Sequence, residues 1–188
     1  MSGSPASYEG LLGQLVLLTR AEFREAPFDG FLVAASDQWL VLHDLSDRFD
    51  LDGYRCFRVR DVTEVSTTAR RLEVVRRAVQ LKSVAPAAPE GLDLSGTRAL
   101  LASVQERFGA VTVSRERRAR QECEIGRIRM DSEQTYTLHW LSPDAYWEQD
   151  DEVFRYEDVT QVQFGGEYER TLLALAGDPP DAAPPATD

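Results

Sequence analysis

Lysine is nearly absent from this chain: of 21 basic residues, only Lys82 is not arginine. Genome composition produces such a bias as readily as function does, so it identifies no ligand. Basic charge is also in deficit, with 32 Asp and Glu and a formal net charge of -11. Nucleic-acid binding normally needs a basic face that displaces counterions, and the bulk composition argues against it. Cysteine is scarce: Cys56 and Cys123 form no CxxC, which suggests neither a zinc site nor a disulfide framework. Both are expected as small buried thiols in a reducing compartment. No apolar stretch approaches the ~20 residues of a spanning helix. Met1-Ser2-Gly3-Ser4-Pro5 has neither the basic segment nor the apolar run of a secretory signal. These absences predict a soluble, cytoplasmic protein with no membrane partner. A P-loop, a dinucleotide fingerprint, a nucleophile elbow and a metal triad are missing as well. No cofactor and no metal site are expected, and the chain does not read as an enzyme.

What the chain does have is one unit written twice. Gly13–Ser46 lies over Gly109–Ser142 without a gap, matching Gly30 with Gly126, Ser36 and Gln38 with Ser132 and Gln134, and Leu42-His43 with Leu138-His139. After a one-residue insertion, Phe57-Arg58 meets Phe154-Arg155 and Asp61-Val62-Thr63 meets Asp158-Val159-Thr160. A repeat this long is a small domain rather than a solenoid unit. The 188 residues, 43% of them hydrophobic, suffice for two small cored modules. Modules of under ~100 residues are marginal alone, so they should pack on each other or on another chain. Residues 1–90 carry 11 Lys and Arg against 13 Asp and Glu, and residues 91–188 carry 10 against 19. The second module is the acidic one, and the first suits an anionic ligand better.

The expected organisation is a first module over residues 1–82, a Pro/Ala linker over 83–91, a second module over 92–177 and a disordered Pro-rich tail over 178–188. In the first, a short helix capped at Ser4-Pro5 runs to about Leu12. Strands follow at Leu15–Leu18, Gly30–Ala35, Trp39–Leu45, Tyr54–Arg60 and Val62–Ser66, with a polar loop over Ser46–Gly53. Leu72, Val75 and Val79 make the apolar stripe of a helix over Thr67–Lys82. The second module repeats this order: a helix to Phe108, stopped by Gly109, then strands at Ala110–Arg115, Glu124–Met130, Thr135–Leu141, Val153–Tyr156 and Val159–Phe164, then a helix over Glu167–Ala176. Each unit is mainly β with flanking helices, an α+β class of about five short antiparallel strands bent into a small barrel. Gly30 and Gly126 lie inside strand patterns, where glycine marks a sharp bend or a close backbone approach.

These residues resemble the Sm/Lsm family, including its bacterial Hfq-type members. The family's first motif is matched by Gly30-Phe31-Leu32-Val33-Ala34-Ala35-Ser36-Asp37 and by Gly126-Arg127-Ile128-Arg129-Met130-Asp131. Its closing strand is matched by Arg60-Asp61-Val62-Thr63-Glu64-Val65 and Glu157-Asp158-Val159-Thr160-Gln161-Val162. The resemblance implies two tandem Sm-like, or more broadly SH3-like, five-stranded barrels, joined as that family joins subunits, fourth strand to fifth. It does not extend to RNA chemistry. Val41 and Thr137 stand where many members place a base-contacting asparagine, and acidic Asp61 and Asp158 replace the basic-glycine pair.

The candidate sites are few. His43 and His139 occupy matched positions and could form a pH-sensitive contact, or could be one strand residue copied by duplication. Asp61 and Asp158 could be acid and base, but Asp and Thr at a strand bend more simply satisfy backbone amides. Asp47, Asp50 and Asp52 fail the EF-hand pattern, which needs an acid at Arg48 and Glu at Val59. Arg115, Arg117 and Arg118, with Arg70 and Arg77, are the candidate anion-binding residues. The expected function is a non-catalytic interaction or regulatory module that binds protein or self-associates through edge strands. The candidate edges are Val62, Thr63 and Val65 in the first unit and Val159, Thr160 and Val162 in the second. The alternatives are a nucleic-acid-associated protein using the arginines, and an inhibitor or immunity-type protein whose acidic second unit covers a basic partner.

Overall fold

The computed structural model describes residues 8–83, 85–120 and 122–179; the Ser4-Pro5 cap and most of the predicted tail lie outside them. The first half comprises β1 (Leu15–Thr19), β2 (Phe28–Ala35), β3 (Trp39–Leu45), β4 (Leu51–Arg58), β5 (Glu64–Ser66) and α1 (Arg70–Lys82). The second comprises α2 (Thr97–Phe108), β6 (Val111–Ser114), β7 (Cys123–Met130), β8 (Thr135–Leu141), β9 (Trp147–Arg155), β10 (Gln161–Phe164) and α3 (Glu167–Ala176). Where a helix was expected up to Leu12, the described part is a single 3₁₀ turn over Glu9–Leu11. Two strands start earlier than expected, β4 at Leu51 instead of Tyr54 and β9 at Trp147 instead of Val153. The acidic run Glu148–Glu152 is therefore part of β9. Charge had masked a strand whose side chains simply face water.

All ten strands form one antiparallel sheet in the order β5-β1-β2-β3-β4-β10-β6-β7-β8-β9. Each half therefore repeats the same internal order. The sheet is open: β4 shares no ladder with β5, nor β9 with β10. Instead the outer side of β4 is taken by β10, which joins the halves. The structure also corrects the gap-free overlay. Val16 lies opposite Gly30, whereas Val111 lies opposite Gly126, so the first strands correspond with a one-residue slip.

The recurring glycine is a close-approach position in both halves. A Cβ on Gly30 would sit 2.9 Å from the His43 carbonyl oxygen, and one on Gly126 would meet the His139 carbonyl oxygen closer still. Strand β3 shows why two halves make one core. Trp39, Leu40, Val41 and Leu42 are all 0% exposed, so the strand is buried on both faces. Leu40 and Leu42 pack with Val16, Leu18, Leu32 and Phe57 inside the first half. Trp39, Val41 and Cys56 face the other way, onto Leu100, Leu101 and Val104 of α2 and onto Val113 and Val162. Helix α2 presents those three residues as one stripe and ends at Gly109, at φ +81, whose N–H donates to the Gln105 carbonyl. Gly126→Ala is expected to destabilise the protein by about 2–3 kcal/mol through backbone overlap. Gly96→Ala, into open space, should stay within about 0.5 kcal/mol of wild type. Urea unfolding compares the two.

Candidate functional site: the strand junction and the free edges

The junction is built from the last residues of β4. Phe57, Cys56, Arg55 and Tyr54 pair with Gln161, Val162, Gln163 and Phe164, and the Tyr54 and Phe164 rings stack at 5.4 Å. Beyond the ladder, Arg58 reaches across to the second half. Its Nε donates to the Val159 carbonyl at 2.5 Å and its Nη2 to the Tyr156 carbonyl at 2.6 Å, while its guanidinium lies 4.8 Å from the Trp39 ring. Burial is the main cause that brings Arg58 down, to about 10; it remains a cation at neutral pH.

Arg20, 1% exposed, is the second tie. It pairs with Glu25 of its own half and Glu116 of the other, each at 2.6 Å, and donates to Gln161 Oε1 at 3.0 Å. Its guanidinium lies over Phe23 and Phe57 at 4.5 and 4.9 Å. A charge this buried holds only because every face of the fork is occupied.

The predicted anion-binding arginines are spent on the protein itself. Arg117 pairs with Asp61 at 2.7 Å and Glu22 at 2.8 Å, across the two halves, and the hydrogen bond to Asp61 is the first reason its pKa rises. Arg118 pairs with Asp158 at 3.1 Å, and Arg115 with Glu124 while lying over Phe154. Arg70 and Arg77 are exposed on a separate element, α1. The five do not gather into one basic patch.

The Asp-Val-Thr repeats resolve into backbone chemistry. Thr63 donates its N–H and Oγ1 to the Thr19 carbonyl and accepts from the Ala21 N–H. Thr160 does the same with the Ser114 carbonyl and the Glu116 N–H. Each threonine locks the entry to the fifth strand onto the end of the first. The histidines share a register position but not a partner. His43 stacks on Tyr54 at 4.4 Å and accepts from the Ala87 N–H; burial holds it below its usual pKa. His139 Nδ1 lies 2.6 Å from Asp151 Oδ1, with Trp147 stacked on the ring at 5.4 Å. Among the described residues, no group of three His, Cys, Asp or Glu could hold a metal. No helix there is long and apolar enough to cross a membrane.

The edges need correction. Strand β10 is bonded on both sides, by β4 and β6, and Val159, Thr160 and Val162 are fully buried. They line an internal seam, because β4 supplies the partner strand. The free edges are β5, with Val65 in it and Val62 and Thr63 just before it, and β9. Strand β9 carries Glu148, Asp150, Asp151 and Glu152 and exposes Val153 by 62%. Its carboxylates belong to the acidic face of the inhibitor alternative, but as a strand edge it was not among those predicted, although the match of Phe57-Arg58 to Phe154-Arg155 was its signal. Cys123 is also not as expected: it is exposed at the start of β7, whereas Cys56 is buried, and burial pushes its thiol up.

Comparison with protein-family models, with curated proteins and with solved structures gives no match.

Two outcomes follow from this geometry. Arg20→Met strands Glu116 in the junction and should cost about 3–5 kcal/mol in chemical denaturation, with Glu116→Gln added to it recovering part of the loss. A thiol reagent should modify one cysteine, Cys123, in the native protein and both after unfolding; rapid double labelling would mean that the junction opens.

Proposed function

We propose that this chain is a non-catalytic interaction module that associates with further copies of itself, β9 of one copy pairing with β5 of the next. The observation that carries the reading is the β4–β10 junction, because its parts recur at the two free edges. Relative to the preceding strand, Phe154 and Arg155 occupy the register of Phe57 and Arg58. Arg155 is exposed and, among the described residues, its guanidinium pairs only with nearby Glu157, at 2.9 Å, a contact it can exchange to do for a neighbour what Arg58 does for β10. Val153 and Val65 stand where Cys56 and Val162 pair. Arg115 lies over Phe154 much as Arg20 lies over Phe57.

The shared strand order of the halves supports a tandem Sm-like arrangement, in which such a contact is head to tail and closes a ring or continues as a filament. Charge fits as well. Arg70 and Arg71 open α1 just after β5, where Glu167 and Tyr168 open α3 after β10. A copied junction sets those arginines beside the carboxylates of β9, so association weakens as salt rises.

The test uses two edge-blocked chains, Val153→Pro and Val65→Pro, each checked for native circular dichroism. Light scattering on a sizing column should find each monomeric alone. Their mixture should give one pair at twice 21.1 kDa, since each retains the edge the other lacks. A mixture that stays monomeric, or either variant assembling by itself, sinks the head-to-tail reading.

A further inference from the structure

At the junction inside the chain, the ladder ends in a tight crossing. Having left β10, the backbone passes through Gly165 and Gly166 into α3 directly against Gly53 of β4. Gly53 holds φ +72, and a Cβ there would sit 2.7 Å from the Phe164 carbonyl oxygen, 2.8 Å from Gly165 C and closer still to Gly166 N. Gly165, at φ +71, has the Phe108 ring 2.8 Å from where its own Cβ would be. The Asp52 carboxylate then accepts the Glu167 N–H at 2.6 Å, capping α3 from the other half.

None of this recurs at the free edges. Gly53 precedes Tyr54, which lies opposite His43, and Asp150 precedes Asp151, which lies opposite His139. Counted back from these pairs Asp150 takes the glycine's place, within a bulge that holds three residues between Trp147 and Asp151 where β4 has two between Leu51 and Tyr54, and it does not hold a positive φ. Following β5, Thr67-Thr68-Ala69 replaces Phe164-Gly165-Gly166, so side chains meet where the internal crossing has only hydrogens. The aromatic stack is also gone, with Asp151 and Thr67 in place of Tyr54 and Phe164.

We infer that Asp150 is a specificity-determining residue of the β9 edge, holding the contact between copies to the pairs Glu64–Phe154, Val65–Val153 and Ser66–Glu152. The consequence is a division of labour between two versions of one joint. The version inside the chain is permanent, with its glycine crossing and helix cap. The version between copies lacks both and is reversible with concentration. This inference rests on the head-to-tail reading above.

The experiment measures dissociation constants by sedimentation over a concentration series for wild type, Asp150→Gly, Asp150→Asn and Asp150→Gly with Val153→Pro. Asp150 faces water at a free edge, so thermal midpoints should stay close to wild type. Asp150→Gly should tighten association about tenfold or more, since backbone can then approach backbone. Asp150→Asn keeps the volume and should change it by less than about threefold. The added Val153→Pro should return the glycine variant to monomer. Equal tightening by Asn and Gly would assign the effect to charge and overturn the inference, as would a glycine variant no tighter than wild type. Wild type that associates through an edge blocked by Val153→Pro, with Asp150→Gly unchanged, removes this inference and leaves the head-to-tail reading standing. Assembly that survives Val153→Pro, or monomers throughout, removes both.

Discussion

Strand β4 needs a neighbour on its outer side, and β10 supplies it. Most of the architecture follows from that one pairing. Each half alone is a small sheet with too little interior to be secure, and the Trp39, Val41 and Cys56 face of the first half has nothing of its own to cover it. Once β10 is in register, α2 and the second half's β6 come to lie over those residues, and a single core runs through the seam. Arg58 and Arg20 then reach carbonyls and carboxylates across the boundary. Their burial is tolerable because the pairing has already fixed where those acceptors sit.

The same constraint accounts for part of the uneven charge of the two halves. A strand edge that is covered inside the chain can be apolar and glycine-containing, as β4 is around Gly53, Tyr54 and Cys56. A strand edge left open presents unpaired backbone groups and invites indiscriminate pairing. Strand β9 is the open counterpart of β4, and four carboxylates lie along it. With Arg155 in the same strand, they supply -3 of the second half's net charge of -9.

Much of the fold was legible in the residues. The continuous apolar run Trp39–Leu42 marked β3, the alternation of Tyr136, Leu138 and Trp140 marked β8, and the Leu72, Val75 and Val79 stripe located α1. The glycine shared by both copies marked the tight approach of β2 to β3, because that effect is local and any side chain would produce it. The duplication required the two halves to share an internal strand order. Two readings failed where a neighbouring strand decides: β9 was expected to start only at Val153 because the run before it is acidic, and β10 was expected as a free edge from Sm-type assembly, yet burial of a strand is set by what lies beside it. The arginine cluster failed similarly, since Glu22, Asp61 and Asp158 are distant in sequence from Arg117 and Arg118, which they neutralise.

The amino-acid sequence by itself therefore determined the two-fold repeat, the mainly β class with helices and the local chemistry of each turn, because these depend on near neighbours and side-chain period. Only the tertiary structure decided which edge of each half is covered and which is open. It also decided which arginines are consumed in the seam, and that Asp150 stands where the seam has Gly53. Those outcomes depend on the pairing of strands more than a hundred residues apart in the chain, Tyr54 with Phe164 among them, and no local pattern encodes a partner at that distance.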